Sequence, residues 1–226
     1  MYCINSSYLE GIEVETHKHD DYVLSFIDLP ELEDQWEKHS DLLPENSERF
    51  AEKRKKEFIA GRLCALNSLF ILNNEFKTAP PVGENREPIW PSGVVGAISH
   101  TRIQAAAITS NSLSHLGLDI ESIIDSERFN KISSQFIAES ERAIIGDDSY
   151  RGTIIFSAKE SLFKALYPSV QTFFGFLDAQ VIEITESSFT ISLLRKDSIF
   201  QSFKTPISGQ FWERKGEIVT QISIPK

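Results

Sequence analysis

The chemistry of this sequence begins with two carboxylates at alternate positions of the segment G-L-D-I-E, Asp119 and Glu121. Because alternate side chains of a β-strand point to the same face, we expect these two carboxylates to converge while Leu118 and Ile120 face the core. A strand that leaves the core can also end in two solvated acids, and so short a motif often matches by chance. The pair alone therefore leaves both a metal site and a solvated strand end open.

A second segment further along the chain, F-S-A-K-E-S-L-F-K, predicts a helix with Glu160 and Lys164 on one side and Lys159 beside them. On a surface helix this spacing would describe an ordinary ion pair worth about 0.2–0.5 kcal/mol. Three acids next to two lysines also suit a hard divalent cation that holds a polyphosphate, since oxygen ligands bind Mg²⁺ and ammonium groups neutralise phosphate charge. The two segments together favour the metal–phosphate interpretation.

The elements that must position these residues can be read from apolar periodicity and turn residues. Ser47 is expected to cap a long helix, Gly146 to interrupt a helical region, and Pro168 to end it. We predict a strand over 22–29, an irregular or short helical stretch to 44, a helix over 47–73 with an apolar stripe, a loop over 77–93, strands over 94–99, 104–109 and 115–122, helices over 126–167, and three or four strands over 177–224. Helices and strands mixed in this way predict an α+β fold.

Composition limits the class of protein. The 226 residues suffice for one large domain or two packed halves, and no apolar run reaches the roughly 18–20 residues that span a bilayer. The segment Met1–Asn5 has no signal-peptide character, and Cys3 and Cys64 lack zinc-site spacing. We therefore expect a cytoplasmic protein with two reduced thiols. The formal net charge of −10 argues against non-specific binding to nucleic acid or anionic membranes.

The order of the motifs resembles that of the 4'-phosphopantetheinyl transferases of the surfactin and enterobactin synthetase type. Besides the two segments above, the resemblance rests on R-K-K-E-F followed by G-R-L from residue 54, N-R-E-P-I-W-P from residue 85, I-S-H-T from residue 98 and G-F-L-D from residue 175. It covers about residues 50 to 180. It implies two similar α+β halves related by a pseudo-twofold axis, with the active site between them. Residues 1–112 would then contribute coenzyme A contacts, and 113–226 the metal ligands and the lysine-rich helix.

The resemblance also implies roles for single residues. Asp119, Glu121 and Glu160 take the positions of the Mg²⁺ ligands, and the resemblance implies that Mn²⁺ can substitute for Mg²⁺ there. Glu160, with Lys164, would be catalytic, helping to deprotonate the incoming serine directly or through a metal-bound water. The expected coenzyme A contacts are Arg54, Arg62, Arg86, Ser99, His100, Asp119, Lys159 and Lys164. Each of the basic residues could instead be an ordinary solvated side chain, and His100 a satisfied loop histidine.

The activity implied is transfer of the 4'-phosphopantetheine arm of coenzyme A, the co-substrate, to a serine of an acidic acyl, peptidyl or aryl carrier protein. Adenosine 3',5'-bisphosphate would be released, and a siderophore or other non-ribosomal peptide pathway is the first expectation, with a monomeric enzyme. The alternative from another class is a catalytically silent module that binds coenzyme A or a carrier protein. A short holo-acyl-carrier-protein synthase is disfavoured by the length, and a generic nucleotide phosphotransferase by the absence of a G-x-x-x-x-G-K-[ST] loop.

Overall fold

The structure, a computed structural model, describes residues 9–32, 35–203 and 206–226. The chain forms two compact units: one ends at Ser114 and also contains Pro225 and Lys226, and the other is His115–Ile224. The segment Met1–Asn5, including Cys3, lies outside the described residues. No helix in the described part of the chain has both the length and the apolar character needed to cross a membrane.

The N-terminal unit is an antiparallel sheet with one long helix, α1 (Glu52–Leu72), packed on it. The strand order is β1-β2-β4-β3. The strands are β1 (Glu15–Lys18), β2 (Val23–Asp28), β3 (Val95–His100) and β4 (Gln104–Ser110). The predicted strands over 22–29, 94–99 and 104–109 are thus confirmed within a residue or two. Strand β1 was not predicted, because its sequence E-T-H-K carries no apolar alternation and it is held by pairing with β2.

Helix α1 lies close to the sheet because small residues face it. Ala105 and Ala107 of β4 are fully buried, and a Cβ on Gly61 would lie 2.8 Å from the Ile98 side chain. The helix is buried almost continuously from Glu57 to Leu69, so the predicted single apolar stripe is too narrow.

The predicted start of α1 at Ser47 is wrong. Residues Ser47–Arg49 form a separate 3-10 turn, and Phe50 is extended, so the helix begins only at Glu52. The stretch before it contains two further 3-10 helices, Leu29–Leu32 and Trp36–Leu42, in agreement with the expected irregular or short helical segment. The predicted loop over 77–93 is confirmed, since its pairing is limited to one isolated bridge within the described residues.

The C-terminal unit contains a five-stranded sheet in the order β5-β9-β8-β7-β6 and four helices. The strands are β5 (Leu113–Ser122), β6 (Ala179–Ile184), β7 (Ser188–Leu193), β8 (Ile207–Arg214) and β9 (Glu217–Pro225). The helices are α2 (Ser126–Ile132), α3 (Glu139–Ile145), α4 (Ser149–Val170) and α5 (Ser198–Gln201). The core between them is rich in phenylalanine and branched aliphatic residues. The separation of helices from antiparallel strands confirms the α+β class.

Of the two helix ends predicted from turn residues in this unit, one is confirmed and the other is wrong. Gly146 ends α3 in a positive-φ conformation (φ 56°), as the predicted interruption required. Pro168 does not end α4, which continues to Val170 and stops at Gln171 in the left-handed conformation. A proline removes only its own N–H from the helical ladder, and the Gln171 N–H still reaches the Tyr167 carbonyl at 2.9 Å. The sequence therefore placed the helix end a few residues too early.

Candidate active site

The acidic strand β5 packs unusually close to helix α4. A Cβ on Gly117 would lie 2.0 Å from the Ser161 carbonyl oxygen of α4, so only glycine permits this approach. As a result Asp119, two residues later, is only 3% exposed, while Glu121 at the end of the strand is half-buried. Leu118 and Ile120 are buried, as their alternation predicted. Asp119 is therefore not a solvated strand-end acid.

Both carboxylate oxygens of Asp119 are in contact with α4. The Lys164 ammonium donates to Oδ1 at 2.7 Å, and the Ser157 hydroxyl donates to Oδ2 at 2.8 Å. The Asp119 side chain is 4% exposed and that of Lys164 is 26% exposed. Lys164 thus neutralises a buried acid on a neighbouring strand. The i,i+4 spacing of Glu160 and Lys164 would also fit an ordinary ion pair on a surface helix, but the observed partner of Lys164 is Asp119.

The other two acids are electrostatically coupled to Asp119. Burial, together with repulsion from the Asp119 and Glu160 carboxylates, raises the pKa of Glu121 to about 8, against a smaller opposite effect of Lys164. Burial and then Asp119 also raise the pKa of Glu160. A cleft of about 130 Å³ with the aromatic side chains of Phe163, Phe173, Phe174 and Phe176 in its lining adjoins Glu160. Burial and the neighbouring Asp119 carboxylate therefore both disfavour the ionisation of Glu121 and of Glu160.

These acids are not gathered into a coordination shell. Among residues 9–32, 35–203 and 206–226, no group of three or more His, Cys, Asp or Glu side chains is arranged to hold a metal ion. A common cation on Asp119, Glu121 and Glu160 would therefore require side-chain rotation, including exchange of the Lys164 contact with Asp119. The metal ligation of these three residues stays a prediction.

Lys159 lies inside the C-terminal unit. Its ammonium is 2.8 Å from both Glu141 Oε2 and the Phe136 carbonyl oxygen, and the side chains of Lys159 and Glu141 are 1% and 0% exposed. Burial lowers the pKa of Lys159, and Glu141 opposes this effect. The phosphate contact predicted for Lys159 stays a prediction, but it would require the ammonium to leave this buried pair.

Glu141 itself was left without a role by sequence reasoning. Its Oε2 also accepts from the Ala138 N–H at 2.6 Å, and its Oε1 accepts from the Val181 N–H of β6 at 2.7 Å. The signal that could have indicated it is its position in the first turn of α3, where a glutamate reaches back to the chain before the helix. Its contact with Lys159 crosses 18 residues and has no local sequence signal.

In the N-terminal unit the structure brings Arg54 and His100 together. The guanidinium Nη1 of Arg54 is hydrogen-bonded to His100 Nε2. The carboxylate of Glu57, 11% exposed, lies 3.6 Å from His100 Nδ1, from Arg54 Nη1 and from Lys53 Nζ. Glu57 was missed by sequence reasoning, although its spacing of three and four residues from Arg54 and Lys53 on α1 is a recognisable signal. The group is a small cationic cluster oriented around one buried carboxylate.

Arg62, also on α1, is 5% exposed, and its buried Nη1 atom has no hydrogen-bond partner among the residues that the structure describes. Its guanidinium stacks 4.8 Å from the centre of the Phe58 ring. Burial lowers the pKa of Arg62 to about 10. A buried cation with an unused donor is costly, and an anion would offset that cost.

The remaining predicted residues of this unit lie in different settings. Ser99 is buried on β3 next to His100, whereas Arg86 is exposed at the tip of a turn closed by a hydrogen bond from the Gly83 N–H to the Glu87 carbonyl at 2.8 Å. Arg86 has a positive φ of 69°, which is uncommon for a residue with a side chain. Their contacts with a nucleotide stay predictions.

Two family models match the chain, one in each part. Residues 43–110 match the model of the 4'-phosphopantetheinyl transferase N-terminal domain, and residues 115–219 match that of the 4'-phosphopantetheinyl transferase superfamily.

Several known proteins are similar over most of their length. Enterobactin synthase component D of Escherichia coli O157:H7 is 39% identical over 171 residues, which cover 74% of this chain and 75% of that protein. The 4'-phosphopantetheinyl transferase PptT of Mycobacterium tuberculosis is 29% identical, over 65% of this chain and 67% of its own. A crystal structure of Helicobacter pylori holo-[acyl-carrier-protein] synthase in complex with coenzyme A aligns with 49% of this chain and 99% of its own, at 20% identity and a TM-score of 0.36.

Proposed function

The chain belongs to the 4'-phosphopantetheinyl transferase superfamily, and we propose that it moves the phosphopantetheine arm of coenzyme A onto a serine of an apo carrier protein. The observation that carries this proposal is the acidic region of the C-terminal unit. There Asp119 is buried beside Lys164, and the pKa of both Glu121 and Glu160 is raised. Crowded carboxylates next to an ammonium are suited to a substrate that brings its own anionic charge together with a cation.

The donor set of this region fits Mg²⁺, and Mn²⁺ as its substitute. Asp119, Glu121 and Glu160 offer only carboxylate oxygens, which hard cations prefer, and no thiolate or imidazole of the kind zinc favours. Their mutual repulsion, seen in the raised pKa of Glu121, would be relieved by a divalent charge. A bound Mg²⁺ would neutralise charge on the pyrophosphate of coenzyme A.

The chain's own groups supply the rest of the chemistry. The carrier serine hydroxyl attacks the β-phosphate, and the bond to the leaving adenosine 3',5'-bisphosphate breaks. Glu160 accepts the serine proton, because it is the acid of α4 that adjoins the cleft. Lys164 passes from Asp119 to a phosphate oxygen and stabilises negative charge there. Positioning and charge neutralisation are the main requirements of such a transfer.

The N-terminal unit would bind phosphate groups of the nucleotide. Arg62 supports this role because its buried Nη1 has no hydrogen-bond partner within residues 9–32, 35–203 and 206–226. Arg54 and His100 offer a guanidinium and an imidazole side by side, and Glu57 helps to orient them. A guanidinium fork matches the geometry of a phosphate. We include Ser99 and Arg86 as further contacts of the same nucleotide on the strength of the family motif alone.

Carriers of siderophore or related non-ribosomal peptide synthesis are the first substrates to test, because one of the relatives named above is an enterobactin synthase component. Purified protein is incubated with coenzyme A, Mg²⁺ and several apo-carriers, and each carrier is weighed by mass spectrometry. A gain of one phosphopantetheine on the carrier serine is the expected result, with a serine-to-alanine carrier as the control. Unmodified carriers throughout would contradict the proposal.

The alternative of a silent binding module predicts a different result in the same assay. Such a module would bind coenzyme A or the carrier protein but would leave every carrier unmodified. The presence of Asp119, Glu121 and Glu160 in one electrostatically coupled region favours the enzyme. A Glu160→Gln variant separates the two, because it should abolish transfer in an enzyme and change nothing that a binding module does.

A further inference from the structure

A chain of three buried hydroxyl groups leads to Asp119. Ser157 and Ser161 lie one turn apart on α4, Thr220 lies on β9, and all three are 0% exposed. The oxygen of Ser157 is 2.8 Å from Asp119 Oδ2 and 2.8 Å from Thr220 Oγ1. Thr220 Oγ1 is in turn 2.7 Å from the Ser161 oxygen.

The direction of these hydrogen bonds follows from counting protons. Lys164 holds Asp119 as a carboxylate, which can only accept, so the single Ser157 proton is directed to Asp119. Any hydrogen bond between the Ser157 and Thr220 hydroxyls must then be donated by Thr220, and the Ser157 carbonyl oxygen, 2.9 Å from Thr220 Oγ1, is a second acceptor for the same Thr220 proton. Ser161 donates to Thr220, at its hydroxyl or at its carbonyl 3.0 Å away. Ser157 therefore donates to Asp119, and Thr220 and Ser161 hold the Ser157 side of this contact through its hydroxyl or through the neighbouring backbone carbonyls.

The contacts on Asp119 divide its two oxygens between two tasks. Oδ2 is held by the hydroxyl chain, which has no route to solvent, while Oδ1 is held by Lys164, whose side chain is partly exposed. When Lys164 moves to a phosphate, Oδ2 remains fixed and the carboxylate keeps its orientation. Hydrogen bonds behind a ligand commonly set its orientation and affinity in this way.

We propose that Ser157 and Thr220 are positioning residues that fix the Asp119 carboxylate for metal binding. This inference rests on the proposed function, because it takes Asp119 to be a ligand of Mg²⁺. Neither residue touches the substrate. Thr220 acts through Ser157, from which it is separated by 63 residues in the sequence.

The test compares three variants with one matched control in the full-length protein. Ser157→Ala removes the direct donor, Thr220→Val removes the second hydroxyl with little change of shape, and Thr220→Ser restores it. The control is Thr153→Val, because Thr153 is also 0% exposed on α4 but its hydroxyl accepts from the Ile124 N–H and does not belong to the chain of hydroxyls. Mn²⁺ is the probe: its binding is titrated by electron paramagnetic resonance with saturating coenzyme A, and urea unfolding is followed in chelator.

We expect Ser157→Ala to weaken Mn²⁺ binding about tenfold or more, which is the usual loss when a group behind a metal ligand is removed. Thr220→Val should give a smaller loss, Thr220→Ser should bind as wild type does, and Thr153→Val should lower stability without changing Mn²⁺ affinity. Wild-type affinity in both Ser157→Ala and Thr220→Val would overturn the inference, as would an equal loss in Thr153→Val. If Thr220→Val does not fold, Ser157→Ala and Thr220→Ser still decide. If the wild type itself neither binds Mn²⁺ nor modifies a carrier, the proposed function fails instead.

Discussion

At the scale of single residues, the charged groups of the C-terminal unit are more deeply buried than their spacing alone could indicate. The alternation in G-L-D-I-E predicted that Asp119 and Glu121 share a face, and the pKa of Glu121, raised partly by Asp119, agrees with that prediction. The spacing could not predict that Asp119 would be 3% exposed, because its burial depends on how closely β5 approaches α4. Burial strengthens the repulsion between the two carboxylates and so raises the free energy of their ionised forms.

The disfavoured ionisation of Glu121 predicts an effect of pH on the metal-free protein. The native pKa of Glu121 is raised from 4.5 to about 8, so between these values the native state binds more protons than the unfolded state, and stability falls as pH rises. In chelator, Glu121→Gln should therefore be more stable than wild type at pH 8, by on the order of 4 kcal/mol, and similar to it near pH 4.5. Urea unfolding at several pH values measures this. Glu183→Gln, on the exposed side of β6, is the control and should show no such pH-dependent gain.

Lys164 should contribute more to stability than a surface lysine. Lys164→Ala leaves the buried Asp119 carboxylate without its ammonium partner and should cost about 1–3 kcal/mol as well as weakening coenzyme A binding and transfer. Lys131→Ala is the matched control, since Lys131 pairs at 2.5 Å with Glu127 on α2 but both side chains are largely exposed. Equal and small losses of unfolding free energy in the two variants would show that Lys164 contributes no more to stability than an exposed surface pair does.

At the scale of elements, two contacts fix α4, and the sequence contained a signal for only one of them. Gly117 stands in the acidic motif itself, where β5 lies directly against the α4 backbone at Ser161. The pair of Lys159 with Glu141 joins α4 to α3, and Glu141 also binds β6. Such contacts between elements far apart in sequence have no period or local pattern, which is why Glu141, Ser157 and Thr220 were not predicted.

The same limit explains the errors in the predicted elements. Strand β1 exists because β2 offers it a pairing edge, and its own residues carry no apolar alternation. Pro168 was expected to stop α4 by a local rule, but the last turn tolerates the loss of one hydrogen bond. Elements with strong internal periodicity or clear turn residues, such as β4 and the α3 end at Gly146, were predicted within a residue or two.

The closeness of β5 and α4 can be tested at Gly117. Gly117→Ala places a methyl group 2.0 Å from the Ser161 carbonyl oxygen, which belongs to the backbone and cannot rotate away. We expect a loss of several kcal/mol or failure to fold, since overpacking of a tight core costs about 1–3 kcal/mol even where side chains can adjust. Gly175→Ala is the control, because no atom lies closer than 4.0 Å to its Cβ position. Thermal unfolding of the two variants beside wild type gives the comparison.

The anchor between α3 and α4 can be tested with two glutamates of the same helix. Glu141→Gln leaves the buried Lys159 charge without its carboxylate partner, although the Phe136 carbonyl contact remains, and should cost about 3–5 kcal/mol. Glu139→Gln should lower the free energy of unfolding by only a few tenths of a kcal/mol, because the Glu139 side chain is 95% exposed and pairs weakly with Arg142 at 3.7 Å. Chemical denaturation measures both. Similar stabilities would mean that the buried pair does not hold these helices together.

At the scale of the whole molecule, the net charge of −10 opposes a polyanionic substrate at long range. Under the proposed function, binding would therefore depend on local groups, namely the cations predicted to contact the nucleotide, Lys164 and a divalent metal. Coenzyme A binding should accordingly be much weaker in chelator than with Mg²⁺, and transfer should stop in chelator and return with Mg²⁺ or Mn²⁺. Full activity in excess chelator would contradict the metal assignment.

Linkage between binding and folding turns this dependence into a prediction for Asp119. A ligand at one hundred times its dissociation constant stabilises the state it binds by about 2.7 kcal/mol, which corresponds to a rise of roughly 5–10 °C in the melting temperature of a chain this long. Wild type should show such a rise only when Mg²⁺ and coenzyme A are both present.

Asp119→Asn should abolish transfer and lose the part of the rise that requires Mg²⁺, while the smaller effect of coenzyme A alone persists through Arg54, Arg62 and His100. In chelator the variant loses its pair with Lys164 but relieves the repulsion on Glu121, so its melting temperature should remain near that of wild type. A variant with wild-type transfer and the full Mg²⁺-dependent rise would show that the buried carboxylate of Asp119 is a structural partner of Lys164 and not a metal ligand.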